Sequence, residues 1–436
     1  MKTVQIIAIV AVIAVVLGGS IAAVVALNGN EETNHSEKVG RVHIYGNANN
    51  DDYIDNNDLN LIQDIVDGNK KWVKAANPYA DVNYDGYVNQ ADVDAVKKII
   101  NKEPTTMYFL SAGGEVDKIS YPLQKSIAVT HLYPIDACIV LGLYDSVKGL
   151  THNIFSQTNW QDKEKYPANH DFVDVGTPKT DPEQFLQSGI KTIITHSRQN
   201  FSTLEAAIEA GNLDINIVQM NLSMYYPDGP DRTGCILMLG IMFQVEEAAH
   251  KYANFMDGIV SFVQKPTITR MSCLECLFPT DTLVQLDVTY ADGEMYGECY
   301  TLSLIKLVDL YHPSSEIMYP EIEMEKVITM DPDIIFYINL NGTNDSVEKG
   351  QAEFNENAAY FSATNAYKNG MVFGVNYYVL GSTSGIAQLP LICSYLWPND
   401  FDEETGWQYL QDYYDQFTMY ENPDVKKMAG TQVYHL

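Results

Sequence analysis

Basic residues are scarce in this chain. Lys and Arg number 27 against 57 Asp and Glu, a formal charge of −30 over 436 residues. A surface of that sign repels phosphate backbones and anionic lipid headgroups, so it excludes nucleic acid and suits solubility or cationic partners. Cysteine is also sparse: Cys138, Cys235, Cys273, Cys276, Cys299 and Cys393 are the whole set. The C-L-E-C stretch at 273–276 has no second pair at metal-ligand spacing, which argues against structural zinc and for buried thiols, with one or two disulfides left open. A nucleophile elbow (GxSxG), an HExxH pair and a phosphate loop are absent. The chain therefore carries none of these enzyme signatures, and the expectation is a protein that is not an enzyme.

The apolar share, 46%, rules out a disordered chain, and the length calls for two or more domains. Tyr is abundant at 29 residues. Most belong in half-buried core positions, and a few suit ligand-binding surfaces, where a rigid face with a hydroxyl is useful. After Lys2 no charge occurs until Glu31, and Val4–Leu27 is apolar apart from Gln5, Ser20 and two glycines. About 20 apolar residues span a bilayer core. The run continues past the small residues of Ile21–Ala23, so residues 1–27 read as an uncleaved transmembrane helix, with a cleaved signal peptide as the rival. No Cys lies near, so lipid anchoring through an N-terminal Cys is excluded. Either way the rest of the chain is expected outside the cytoplasm, at the cell surface or secreted. The sequons at Asn34, Asn200, Asn221, Asn341 and Asn344 would be usable there.

Residues 28–40 are polar and aperiodic, a linker. Then come two loops of one design, NANNDDYIDNND at 47–58 and DVNYDGYVNQAD at 81–92, beginning 34 residues apart. A hard cation such as Ca²⁺ takes six or seven oxygens from positions 1, 3, 5, 7 (a carbonyl), 9 and 12 of such a loop. Those positions are Asn47, Asn49, Asp51, Tyr53, Asp55 and Asp58 in the first loop, and Asp81, Asn83, Asp85, Tyr87, Asn89 and Asp92 in the second. Gly86 stands at the sharp turn of position 6, where the first loop has Asp52. An acidic surface turn pair is the bland alternative. Each loop is followed by an apolar stripe at helical spacing: Leu59, Ile62, Ile65 and Val66, then Val93, Val96, Ile99 and Ile100. No comparable helix precedes either loop. This loop–helix duplication over 41–103 resembles a dockerin, including Asp at position 12. The resemblance implies two Ca²⁺ ions and a cohesin-bearing partner protein, selected at Asn56–Asn57 and Gln90–Ala91. Packing against a neighbouring domain is the other use open to it.

From Pro104 onward, β-branched runs alternate with helical patterns: SIAVT (126–130), KTIITH (191–196), NIVQM (216–220), DIIFYI (333–338) and GMVFGV (370–375). The alternation predicts α/β layers with mostly parallel strands. Residues 232–263 run without Pro, predicting one helix of about thirty residues in mid-region. On either side of it, DVGTPKTDPEQFLQSGIKTIITH (174–196) and YPEIEMEKVITMDPDIIFYI (319–338) share a plan of extended entry, helix with Glu near its start, and buried strand. The expected fold is thus two α/β lobes, about 107–230 and 266–436, joined by one long helix at about 231–263. A small all-α duplicated calcium module and a transmembrane helix precede them.

These stretches, with AYKNGMVFGV and the late SYLWPNDF, resemble the substrate-binding proteins of ABC importers for iron–siderophore, haem and cobalamin-type cargo. The resemblance implies a ligand cleft between the lobes and an ABC permease partner docked through Glu183 and Glu325. Capping electrostatics at their helix starts would account for the same two residues. Strand-end loops supply the ligand candidates: His131, Tyr133, His196, Arg198, Tyr225, Tyr226, Tyr377 and Tyr378, with Tyr296 and Tyr300 on the second lobe. Arg and Tyr suit carboxylate or catecholate groups of a chelate, and Tyr or His can ligate iron. The reading is a membrane-tethered binding protein for an iron- or cobalt-containing chelate. The alternative, from the dockerin resemblance alone, is a cell-surface polysaccharide-binding or polysaccharide-degrading protein docked through a cohesin. A surface scaffold that has lost its cargo is a third.

Overall fold

A computed structural model describes residues 40–157, 165–166, 172–223, 229–265, 267–286, 289–291, 294–296, 300–310, 320–338 and 346–436. The backbone alone is described at 278, 289–291, 294–296, 300, 308, 309 and 377. The expected N-terminal anchor lies outside the described residues. Among those described, no helix is long and apolar enough to cross a membrane. The chain divides into two compact units, residues up to 110 with 116–123, and 111–115 with 124–436.

In the smaller unit the 34-residue repeat is reproduced in the backbone. Helices α1 (Asn56–Val66) and α2 (Gln90–Ile100) follow the loops at the same offset, and Asn50 and Tyr84, both at position 4, share a positive φ of 60° and 55°. Left-handed backbone is costly for Tyr. The Tyr84 ring is held by Tyr45 at 5.0 Å and Tyr108 at 5.8 Å. Of the two stripes, Ile62, Ile65, Val93, Val96 and Ile99 are buried, while Leu59, Val66 and Ile100 are half-buried. Gly46, at φ 121°, lets the entering chain pass over Val82, Val96 and Ile99. A hairpin, β1 (Thr105–Leu110) with β2 (Val116–Tyr121), belongs to this unit although it lies beyond Pro104, the boundary read from sequence. It is tied there by Tyr45 N–H to the Tyr108 carbonyl (2.9 Å) and by the Ile44–Phe109 bridge.

The larger unit holds two sheets. The first is parallel and five-stranded in the order β5-β4-β3-β6-β7: β3 (Ile127–Val129), β4 (Val147–Leu150), β5 (Val173–Asp174), β6 (Thr192–Thr195) and β7 (Asn216–Gln219). Helices α3 (Leu132–Val140), α4 (Glu183–Gln187) and α5 (Ser202–Gly211) lie between its strands. Ala128, Val175, Phe185, Ile193 and Leu204 form its core. The second sheet is mixed. Its parallel part comprises β8 (Met271–Pro279), β12 (Leu307–Asp309), β14 (Ile334–Tyr337) and β15 (Val372–Gly374). It is edged by antiparallel β9 (Leu283–Leu286), β13 (Glu321–Glu323) and β16 (Tyr434–His435), while β10 (Thr289–Ala291) and β11 (Glu294–Tyr296) pair separately. All five strands expected from sequence are present.

The single long helix is not. Residues 232–263 form α6 (Arg232–Met242) and α7 (Glu246–Val263), separated by a corner at Phe243–Val245. Gln244 takes φ 56°, and Val245 N–H reaches the Gly240 carbonyl (2.7 Å) while Gln244 N–H reaches that of Ile241 (3.1 Å). This is a Schellman stop, closed by Gln instead of the usual Gly. A Cβ on Gly240 would come within 2.4 Å of that of Ala249, so the glycine is what lets α6 and α7 pack closely there. The remaining helices used below are α8 (Tyr300–Ser303), α9 (Met324–Met330), α10 (Val347–Ala358), α11 (Tyr377–Leu380), α12 (Gly385–Leu396) and α13 (Glu403–Phe417).

Candidate functional site

In the five-stranded sheet the chain leaves β3 for β4 and β5 on one side, then crosses to β6 and β7 on the other. Its switch point therefore lies between β3 and β6, and open α/β sheets bind ligands in the crevice at the carboxyl ends of such strands. Val129 and Ile194 are register partners, so His131 and His196, each two residues further on, share one position across that crevice. Their ring centroids are 4.5 Å apart. His131 also stacks on Tyr133 at 4.6 Å, and Tyr133 faces Tyr378 of α11 at 6.3 Å. Four of the predicted residues are thus brought together, from both lobes.

Burial sets the chemistry of the pair. Desolvation, helped by the Lys165 charge, lowers the pKa of His131 to about 4. His196 falls to about 3 through desolvation, then His131 and Lys179. Both imidazoles are neutral at physiological pH, the form that ligates metals. His131 Nδ1 accepts from Tyr133 N–H at 3.5 Å, capping α3. His196 Nδ1 is buried without a hydrogen-bond partner. An orphaned ring nitrogen in a ligand crevice is a vacant acceptor or ligand position.

Arg198 pairs with Glu115 in an exposed ion pair. Tyr225 and Tyr226 lie outside the described residues, and Tyr296, Tyr300 and Tyr377 are placed by backbone alone. Glu183 and Glu325 are both exposed in the first turns of α4 and α9. Sequence reading missed His152. It stands two residues after Leu150, itself the register partner of Val129, so it continues the His131–His196 row, and its Nδ1 lies 2.7 Å from Asp174. It also missed Arg232, a buried cation at the start of α6. The five described cysteines are buried; Cys273 and Cys276, three residues apart on β8, face opposite sides of the strand. Asn221 is buried with its amide on the Pro230 carbonyl (3.0 Å), which removes one sequon from use. Asn34, Asn341 and Asn344 lie outside the described residues.

In the smaller unit the two loops organise their oxygens alike. Asp58 accepts from the backbone N–H groups of Asn49 (3.0 Å) and Asp55 (2.8 Å), and Asp92 from those of Asn83 (3.1 Å) and Asn89 (2.8 Å). Asp51 and Asp85 accept from the N–H groups of Tyr53 and Tyr87. Asp55 and Asn89 cap α1 and α2. Burial raises the Asp58 carboxyl to about 6, and Asp92 is raised by the same cause.

Position 1 is where they differ. Asp81 accepts from Asp85 N–H (3.0 Å) and Gly86 N–H (2.9 Å). Asn47, fully buried, accepts from Asp51 N–H (3.1 Å) but donates its amide to the Asp51 carbonyl (2.7 Å) and the Val42 carbonyl (2.7 Å). The peptide between positions 5 and 6 therefore turns its N–H toward Asp81 in one loop and its C=O toward Asn47 in the other. Gly86 sits at φ 92°, whereas Asp52 keeps an ordinary φ and pairs with Arg41. Among the described residues no three His, Cys, Asp or Glu side chains converge to hold a metal ion. In each loop, Asn side chains and one carbonyl make up half of the six ligand positions expected from sequence.

No protein-family model and no curated protein matches the chain. Solved structures do. A TroA-like periplasmic binding protein, FepB, from Veillonella parvula is 15% identical with a TM-score of 0.53, covering 72% of this chain and 97% of that one. An ABC transporter solute-binding protein from Sulfurospirillum deleyianum is 17% identical with a TM-score of 0.51, covering 71% and 94%. The chain carries the periplasmic-binding-protein fold.

Proposed function

We propose that this is an extracytoplasmic solute-binding protein of an ABC importer, carrying an iron- or cobalt-containing chelate to a permease. The observation that carries the proposal is the His131–His196 pair: two neutral imidazoles, one with an orphaned nitrogen, at the switch-point crevice beside Tyr133 and Tyr378. Two imidazoles are too few to satisfy a bare transition ion, which takes four or more donors, but suit a metal whose chelator supplies the rest. Glu183 and Glu325, exposed on separate lobes, are the permease-docking carboxylates in this reading, paired with Arg clusters through charge-assisted hydrogen bonds.

The two loops hold Ca²⁺ in the same reading. Their donors are all oxygen, as a hard cation requires, and a cation would stabilise the ionised form of buried Asp58 and Asp92. The loop–helix pair then serves as a calcium-dependent docking module for a cohesin-bearing surface protein, beside a segment at 4–27 that tethers the chain.

The test is intrinsic fluorescence of the full chain titrated with ferric siderophores, haem, cobalamin and simple sugars. Saturable quenching by one chelate, weakened at least tenfold by His131→Ala or His196→Ala, is expected. A response to sugars alone would reject the importer reading in favour of the docked polysaccharide-binding alternative. Burial of the two rings adds a pH signature. Their contribution should persist to about pH 5 and fail near pH 4, well below the ordinary imidazole range.

A further inference from the structure

The expected long helix is broken at Phe243–Val245, and at the start of α6 Arg232 bonds to segments of both lobes. It is 5% exposed. Its Nε donates to the Leu222 carbonyl and its Nη2 to that of Ser223, both 3.2 Å, on the loop leaving β7 of the first lobe. Its Nη1 donates to Thr301 Oγ1 on α8 and to the Leu380 carbonyl ending α11, both 3.3 Å, on the second lobe. Thr301 Oγ1 itself donates to the Leu380 carbonyl at 2.9 Å, so the two second-lobe helices are tied to each other at the same point. Gly385 closes the assembly from above: a Cβ there would lie 2.1 Å from the Leu380 oxygen.

Among the described residues no carboxylate lies within ion-pair distance of this guanidinium. Burying a cation against neutral oxygens is unfavourable unless its donors are used well, and the planar fork of Arg can serve four acceptors on three segments where a Lys ammonium cannot. The three segments are those that carry the aromatic ligand candidates. Leu222–Ser223 leads to Tyr225 and Tyr226, Thr301 follows Tyr300, and Leu380 ends the helix begun by Tyr377 and Tyr378. Tyr378 is also the residue that meets Tyr133 across the crevice.

We propose that Arg232 is a positioning residue: it clamps the two lobes at one separation and thereby sets where α8 and α11 stand against the His131–His196 pair. It need not touch the cargo to do so. The consequence for binding rests on the chelate reading of the crevice, but the clamp itself is tested without any ligand. Spin labels at Glu209→Cys on α5 and Glu356→Cys on α10, both exposed, report the interlobe distance by pulsed electron resonance. The unmodified clamp should give one narrow distribution. Arg232→Lys, which keeps the charge and loses the fork, should at least double its width. Thr301→Val, which removes one of the four acceptors and the Thr301–Leu380 bond but leaves the cation buried and bonded to three carbonyls, should broaden it less and serves if Arg232→Lys does not fold. An unchanged distribution in a cooperatively melting Arg232→Lys, or failing that in Thr301→Val, overturns the clamp. Broadening of the lobes with no chelate bound by any variant would leave the clamp standing and reject only the cargo.

Discussion

Among the differences between the loops at 47–58 and 81–92, those at positions 1 and 6 are coupled. Asp81 has only acceptors to offer, so the peptide ahead of it presents an N–H, and the resulting φ of 92° calls for Gly86. Asn47 has an amide to place, so the same peptide presents its carbonyl, and position 6 is released to become Asp52, paired with Arg41. The glycine and the aspartate are thus consequences of one atom type at position 1. The electrostatics differ as well. Each loop has three carboxylates at ligand positions, Asp51, Asp55 and Asp58 against Asp81, Asp85 and Asp92, but the first has a neutral amide at position 1 and the Arg41 guanidinium bonded at position 6, and among the described residues no guanidinium is bonded to the second. The second loop should bind Ca²⁺ more tightly.

The largest effect that would break this comparison is Asp81→Ala. Calorimetry on the full chain should show the tighter calcium site lost, on the order of a hundredfold in affinity. Asn47→Ala should leave that tight site intact. Equal losses from both substitutions would mean that the loops are equivalent. Next, Asn47→Asp with Asp52→Gly should restore the Asp81–Gly86 arrangement and raise the weaker site roughly tenfold, whereas either change alone should gain less. The pH dependence is smaller. Without a cation, Asp58 gives its full contribution to stability below the ordinary carboxylate value of 3.8, and loses it as pH rises through about 6. Amide exchange over residues 47–66 in chelator should therefore quicken from pH 4 to 7 after correction for intrinsic rates, and calcium should abolish the trend. Smallest is Arg41→Ala, expected to cost about 1 kcal/mol and to strengthen calcium binding at the first loop slightly.

The same contrast shows what the sequence reveals and what it hides. Ligand spacing, helix stripes and the five buried strands are periodic signals, and periodicity survives in one dimension. His131 and His196 were legible because each directly follows such a strand. His152 follows one equally closely, but VKGL has no long β-branched run to announce it. The corner at Gln244 was hidden because the left-handed residue is not Gly; the signal was Gly240, which reads as a tolerated helix glycine until Ala249 is seen against it. Arg232 was invisible for another reason. Its four acceptors come from segments up to 148 residues away, and three of the four are backbone carbonyls, which no residue type marks.

Residues 111–115 belong to the larger unit while their neighbours on both sides, 110 and 116, belong to the smaller, so the chain passes between units three times before settling at 124. A module attached by one crossing can be gained, lost or exchanged in a single recombination. With three crossings, a break at any one of them leaves part of one unit on the wrong side. After a single protease cut at Pro104, the Ile44–Phe109 bridge and the Tyr45–Tyr108 hydrogen bond would still hold the loop–helix pair to the β1–β2 hairpin.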